Sequence, residues 1–151
     1  INIGAVDKTK EFVADAISKG GEILTGGKPI NKYFFELTVI GNATRDMSFS
    51  EDEIFGPLAP LYKFTSDEEA IEIANDTIYG LASYFYSENV SRCWRVAEAL
   101  EYGMVGINEG LVSTEVAPFG GVKFSGQGRE GSKYGIEDYL EIKYMCFGNI
   151  I

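Results

Sequence analysis

From Ala5 to Lys19 the apolar residues Val6, Phe12, Val13, Ala16 and Ile17 recur at helical spacing, while Lys8, Lys10, Glu11 and Asp15 fall outside that stripe. The pattern predicts an amphipathic helix ended by Gly20-Gly21. Glu22 to Leu24 then reads as a short strand before a Gly26-Gly27 turn. Phe34 to Ile40 reads as a stronger strand through its aromatic and β-branched residues. Leu58 to Phe64 is a largely apolar run of strand length, and Ser66-Asp67-Glu68-Glu69 matches a capping box, so a helix is predicted from there to about Asn75. Ala82 to Tyr86 is the next strand. Asn89 can cap a helix whose Cys93, Val96, Ala97 and Leu100 face inward, Gly103 can close it, and Met104 to Asn108 is the strand that follows.

Strand, helix, strand, helix, strand with short loops predicts two successive βαβ crossovers, right-handed and parallel within one sheet. The expected fold class is therefore α/β. Ligands meet such a sheet at the carboxyl ends of its strands, which points to Asn108 and the loop after it. Glu109 to Gln127 is long, Gly-rich and poor in periodicity, so it is either a functional loop or disordered. Beyond Arg129-Glu130 a short helix is expected through about Tyr139. The alternating stretch Leu140 to Met145 then reads as a two-faced strand at a sheet edge, seeking a partner.

Composition narrows the chemistry. With 151 residues and 45% apolar content the chain can bury a core, and one globular domain is the expectation. A formal charge of −10 argues against a nucleic-acid partner, which needs clustered Lys and Arg. There is no histidine, and Cys93 and Cys146 lie far apart, so neither a metal site nor a Cys-His or Ser-His pair is expected in this chain. Cys93 falls on the apolar stripe of a helix, a setting for a buried, inert thiol. No apolar run approaches the roughly 18 residues of a membrane-spanning helix. Nothing at the front reads as a signal peptide, and the start at Ile1 suggests a piece of something longer. Low cysteine use fits a reducing compartment: the cytoplasm, or the mitochondrial matrix for a eukaryotic protein.

On residue types alone, Glu53-Ile54-Phe55-Gly56-Pro57 is a turn before a strand, with Glu53 a solvated acid and Phe55 a core residue. Pro118 to Glu130 is dense in glycine, which implies positive φ angles or close backbone approach. Its spacing is neither GxxxxGK[ST] nor GxGxxG after a strand, so it is not read as a phosphate cradle. Ser113 can be a loop serine bonding its own backbone. Phe119 can plug its loop onto the domain or wall a pocket.

Taken together these segments resemble the aldehyde dehydrogenase family. Asp52 to Pro57 is similar to its Glu-Glu-x-Phe-Gly-Pro element, with Asp52 in place of the first Glu. Pro118 to Glu130 is similar to its Pro-Phe-Gly-Gly-x-Lys-x-Ser-Gly-x-Gly-Arg-Glu signature. Asn108 to Ala117 and Gly131 to Tyr144 resemble the succinate-semialdehyde dehydrogenase branch in particular. The resemblance implies that Glu53 accepts hydrogen bonds from the nicotinamide ribose of NAD or NADP and that Phe55 packs beside the nicotinamide. It implies that Ser113 helps bind a substrate carboxylate, together with arginines outside this chain, and that Phe119 borders the aldehyde funnel. The nucleophilic cysteine, the general-base Glu and the oxyanion Asn would lie upstream, so this chain alone is expected to be inactive. The implied architecture is the parallel-sheet βαβ core of the family's catalytic domain over residues 1–138, with a C-terminal oligomerisation strand over 139–151. The implied partners are a small aldehyde and further copies of the full-length protein. The alternatives are a dehydrogenase for a different aldehyde or, if the natural chain starts near Ile1, a non-catalytic interaction module.

Overall fold

A computed structural model describes residues 2–149. The chain forms two compact units, Ile1–Ile73 and Ala74–Ile151, where composition suggested one.

The first unit is built on α1 (Ile3–Ser18), whose inward stripe buries Val6, Thr9, Phe12, Val13 and Ala16. Asn2 caps it by accepting from the Ala5 N–H at 2.8 Å. Its end is a Schellman motif. Gly21 N–H donates to Ala16 O at 2.8 Å and Gly20 N–H to Ile17 O at 3.1 Å, with Gly20 at φ +90°, where a side chain would be strained. The helix lies over a core containing Phe12, Ile40, Met47, Phe49 and Leu58. Phe49 stands edge-on to Phe12 at 6.3 Å and to Tyr62 at 6.4 Å between ring centroids, the arrangement favoured by aromatic quadrupoles.

This unit's sheet has the order β1 (Glu22–Thr25), β2 (Thr38–Gly41), β3 (Leu58–Pro60). β1 runs antiparallel to β2 with an irregularity between Ile23 and Thr25, and β3 runs parallel to β2 with Thr38 opposite Leu58. The central strand is shorter than its composition suggests. Phe34 and Phe35 lie outside it, and only an isolated bridge links Phe35 to Pro29. β3 likewise ends at Pro60 rather than Phe64, although Leu61 N–H still donates to Ile40 O at 2.8 Å.

α2 (Asp67–Asn75) begins with the expected capping box. Ser66 Oγ accepts from Glu69 N–H at 3.1 Å, and the Glu69 carboxylate reaches back to the N–H and hydroxyl of Thr65, both at 2.7 Å. Those bonds hold the Glu69 carboxyl below the usual range.

In the second unit β5 (Ala82–Phe85), α3 (Val90–Ala99) and β6 (Met104–Ile107) form a βαβ unit, β5 and β6 pairing in parallel from Ala82–Met104 to Phe85–Ile107. Asn89 caps α3 through the Arg92 N–H at 2.9 Å. Among the described residues the other expected crossover is not formed: β3 pairs with β2, and β5 with β6. Two apolar runs flanking a helix do not reveal whether they share a sheet, because the partner is chosen by distant residues. Cys93, Val96, Ala97 and Leu100 are half-buried rather than enclosed, and the Cys93 thiol donates to Ser87 O at 3.5 Å. Trp94 is 66% exposed.

Gly-rich residues 109–127 are ordered in part by a short antiparallel pair, β4 (Tyr79–Gly80) with β7 (Val122–Lys123). The expected helix before Tyr139 is reduced to a 3₁₀ turn, Glu137–Tyr139. Residues 140–149 form no strand. The alternating stretch finds no strand partner among the described residues, and a strand exists only through one. Ile150 and Ile151, the end of the expected 139–151 strand, lie outside the described residues. No helix among the described residues is long and apolar enough to cross a membrane.

Candidate functional site

In the first unit, the loop that follows the 3₁₀ turn Ser48–Ser50 carries Asp52 to Pro57 to the mouth of an open cleft of about 1030 Å³. Glu53, Phe55, Tyr33 and Phe34 line it, over a floor that includes Ala5 and Val6 from the first turns of α1. Phe55 is 77% exposed, which excludes the core role that residue type alone would allow. Glu53 is exposed as well, so both side chains named from sequence are free to meet a ligand at one cleft. The cleft presents aromatic side chains and one carboxylate, an acceptor for vicinal hydroxyls.

Phe34 was expected to begin a strand; a turn leaves it, with Tyr33, outside β2. Asn31 Oδ1 accepts from the N–H groups of Tyr33 at 2.9 Å and Phe34 at 3.1 Å, fixing the backbone so that Phe34 is 64% exposed. Asn31 three residues before exposed aromatics was the available signal.

Ser113 and Phe119 belong to the second unit. Ser113 is exposed on the loop after β6. Phe119 is half-buried, and its backbone exchanges hydrogen bonds with Glu130, Phe119 N–H to Glu130 O at 2.9 Å and Glu130 N–H to Phe119 O at 2.7 Å. Asn108, at the carboxyl end of β6, is committed elsewhere. Its amide pairs with the Ser87 backbone in both directions at 2.8 Å, with φ at +54°. It clamps the β5–α3 turn rather than facing a ligand.

The glycine-rich signature is a folded loop held by its own cationic residues. Arg129 Nη1 donates to the carbonyls of Gly121 at 2.7 Å, Gly128 at 2.9 Å and Gln127 at 3.2 Å. A Cβ on Gly120 would stand 2.4 Å from Gly128 O, and one on Gly103 would stand 2.0 Å from Gly120 O, so these glycines permit backbone-to-backbone contact. Lys123 Nζ donates to Asn75 O at 3.0 Å and Thr77 O at 3.2 Å and pairs with Glu101 at 2.5 Å, capping the carbonyl end of α2. Both cations of the signature thus bond backbone carbonyls within this unit.

Comparison with known proteins identifies the family. The model of the aldehyde dehydrogenase family matches residues 1–145. The mitochondrial succinate-semialdehyde dehydrogenase of Arabidopsis thaliana is 60% identical over 99% of this chain and 29% of its own length. A glutarate-semialdehyde dehydrogenase of Pseudomonas putida is 61% identical over 94% of this chain and 30% of its own. Among solved structures, an Escherichia coli NADP dependent enzyme superposes with a TM-score of 0.93 at 55% identity, covering 98% of this chain and 31% of that one. The chain thus spans under a third of the length of the relatives it matches. With the Glu53 and Phe55 element at an open cleft, an ordered Pro118 to Glu130 loop and this likeness along nearly its whole length, the chain belongs to the aldehyde dehydrogenase family.

Proposed function

We propose that this chain is the C-terminal part of an NAD(P)-dependent succinate-semialdehyde dehydrogenase. The observation that carries the proposal is the pairing of an exposed carboxylate, Glu53, with an exposed ring, Phe55, at one aromatic-lined cleft. Glu53 would accept the nicotinamide-ribose hydroxyls, and Phe55 would limit where the ring can sit, so that its reactive face is held at hydride-transfer distance. When bound, NAD or NADP supplies the hydride acceptor. A cysteine outside this chain would attack the aldehyde carbon, hydride loss would leave a thioester, and water would release the acid and restore the thiol. Ser113 would donate one hydrogen bond to the far carboxylate of the substrate, and Phe119 would border its path. One hydroxyl cannot offset desolvation of that charge, so arginines must come from the rest of the protein.

Support for the missing portion is physical. Met104, 8% exposed, is the one buried hydrophobic side chain of the core among the described residues of the second unit, while Phe124, Ile142, Tyr144 and Phe147 are 73 to 99% exposed. Residues 139–151 would form a strand only on meeting further copies of the full-length protein, which makes it a homo-oligomer. The Arabidopsis relative's mitochondrial name fits a matrix enzyme if the source is eukaryotic, and the cytoplasm otherwise. A second reading has its own observation: the Pseudomonas putida relative acts on the semialdehyde of glutarate, which keeps the terminal carboxylate and lengthens the chain between the two ends.

The test is turnover by the full-length protein. Succinate semialdehyde and NAD(P)+ should give succinate and NAD(P)H in equal amounts, and the 151-residue chain alone should give none. Ser113→Ala should raise KM for succinate semialdehyde while leaving that for butanal unchanged. Equal efficiency on butanal and on succinate semialdehyde would refute the carboxylate assignment, and a higher efficiency on glutarate semialdehyde would favour the second reading.

A further inference from the structure

We infer that Lys8 and Thr9 of α1 are positioning residues that set the Glu53–Phe55 loop, an inference that rests on reading Glu53 and Phe55 as the nicotinamide-side clamp. The clamp side chains are exposed and cannot hold themselves in place; their geometry has to come from the backbone. That backbone is tied to α1 on both sides of Phe55. Before it, Lys8 Nζ donates to the carbonyl of Glu53 itself at 2.9 Å. After it, Gly56 lies so close to α1 that a Cβ would stand 2.8 Å from Thr9 Oγ1, nearer than real Cβ contacts come.

Both anchors are themselves fixed. Lys8 is exposed, but its Nζ lies 5.1 Å from the centroid of the ring of Phe12, itself 3% exposed, and this contact with a fixed core side chain favours the placement that reaches Glu53. Thr9 is 3% exposed, and its hydroxyl donates to Ala5 O at 2.8 Å, which locks the rotamer that Gly56 meets. α1 therefore acts as a rigid template. A loop with two fixed points around three residues samples few conformations, and the ordering cost that a ligand would otherwise meet is already met by folding.

The test is cofactor affinity of full-length variants, read as Kd by calorimetry and as KM against kcat. Lys8→Met keeps the aliphatic stem and removes the donor, and should weaken NAD(P)+ binding about three- to tenfold, with KM for the aldehyde unchanged. Lys8→Arg, which can still reach a carbonyl, should restore most of the loss. Gly56→Ala should push the loop from Thr9 and weaken binding by at least as much. Because Lys8 acts through the loop, its effect should largely vanish in a Glu53→Ala background. Additive losses would mean that Lys8 meets the cofactor on its own account and would overturn the inference. So would an unchanged Kd for Lys8→Met beside a weakened Glu53→Ala. An unchanged Kd for Glu53→Ala alone would instead sink the clamp reading, and the positioning role with it.

Discussion

Replacing Arg129 by Met should loosen the glycine-rich loop without disturbing the first unit. Its Nη1 serves three carbonyls, of which the 2.7 Å bond to Gly121 is partly buried and the bonds to Gly128 and Gln127 are exposed. A charged donor to a shielded carbonyl is worth about 1.5 kcal/mol net, and each exposed bond about 0.3–0.5 kcal/mol, so the loss comes to roughly 2–2.5 kcal/mol. Met keeps most of the aliphatic volume, so packing adds little. At about 1.4 kcal/mol per decade, the local opening equilibrium should shift roughly 30- to 60-fold. The reporters are the paired amides of Phe119 and Glu130, followed by hydrogen exchange in the full-length protein, with the β2 amides of Thr38 to Gly41 as reference. Arg129→Lys should fall between the two, since one ammonium cannot reproduce the fork. Exchange at Phe119 and Glu130 within about threefold of the unaltered protein would refute the view that Arg129 holds the loop.

Glu53→Gln should raise KM for NAD(P)+ about tenfold or more, because a carboxylate accepting from two hydroxyls becomes a neutral acceptor; steady-state kinetics on the full-length protein would show it. The Asp15 carboxyl is held below its ordinary value of 3.8, first by the hydrogen bond from Lys19 and then by the Ser48 N–H at 2.8 Å. Its contribution to stability is therefore complete above about pH 4 and lost as pH falls through the lowered value. Asp15→Asn should flatten the acid limb of the unfolding midpoint against pH, and an unchanged slope would count against the assignment. Ile40 is fully buried at the centre of the first unit's sheet, so Ile40→Ala should cost about 2–5 kcal/mol, seen as accelerated exchange of the β2 amides.

The helices were legible because their signals are local. The stripe of α1, the Gly20-Gly21 stop, the Ser66 to Glu69 box and the Asn89 cap each lie within a few residues of the bonds they make, and those bonds form where they were expected. The Glu53 and Phe55 element was legible as a motif, and the structure brings the two side chains to one cleft. Phe34 was misplaced because aromatic content alone favours a strand, whereas the Asn31 turn that keeps it out is a matter of geometry.

Strand partnership could not be read along the chain. β2 takes β3 rather than leaving it to β5, Asn108 spends its amide on Ser87 and Arg129 gathers carbonyls from its own loop, because each of these bonds joins residues whose approach depends on the rest of the fold. The alternation of Leu140 to Met145 shows the same limit from the other side, for it determines that the segment has two faces but supplies no partner, and the segment is not a strand without one. By itself the sequence determined α1, α2 and α3 with their caps, and the family, and it named the residues proposed to carry its chemistry. Only the tertiary structure decided which strands pair, which side chains stay free for a ligand and which are consumed in holding the loops, since hydrogen bonds are saturable and a group used for architecture is no longer available for binding.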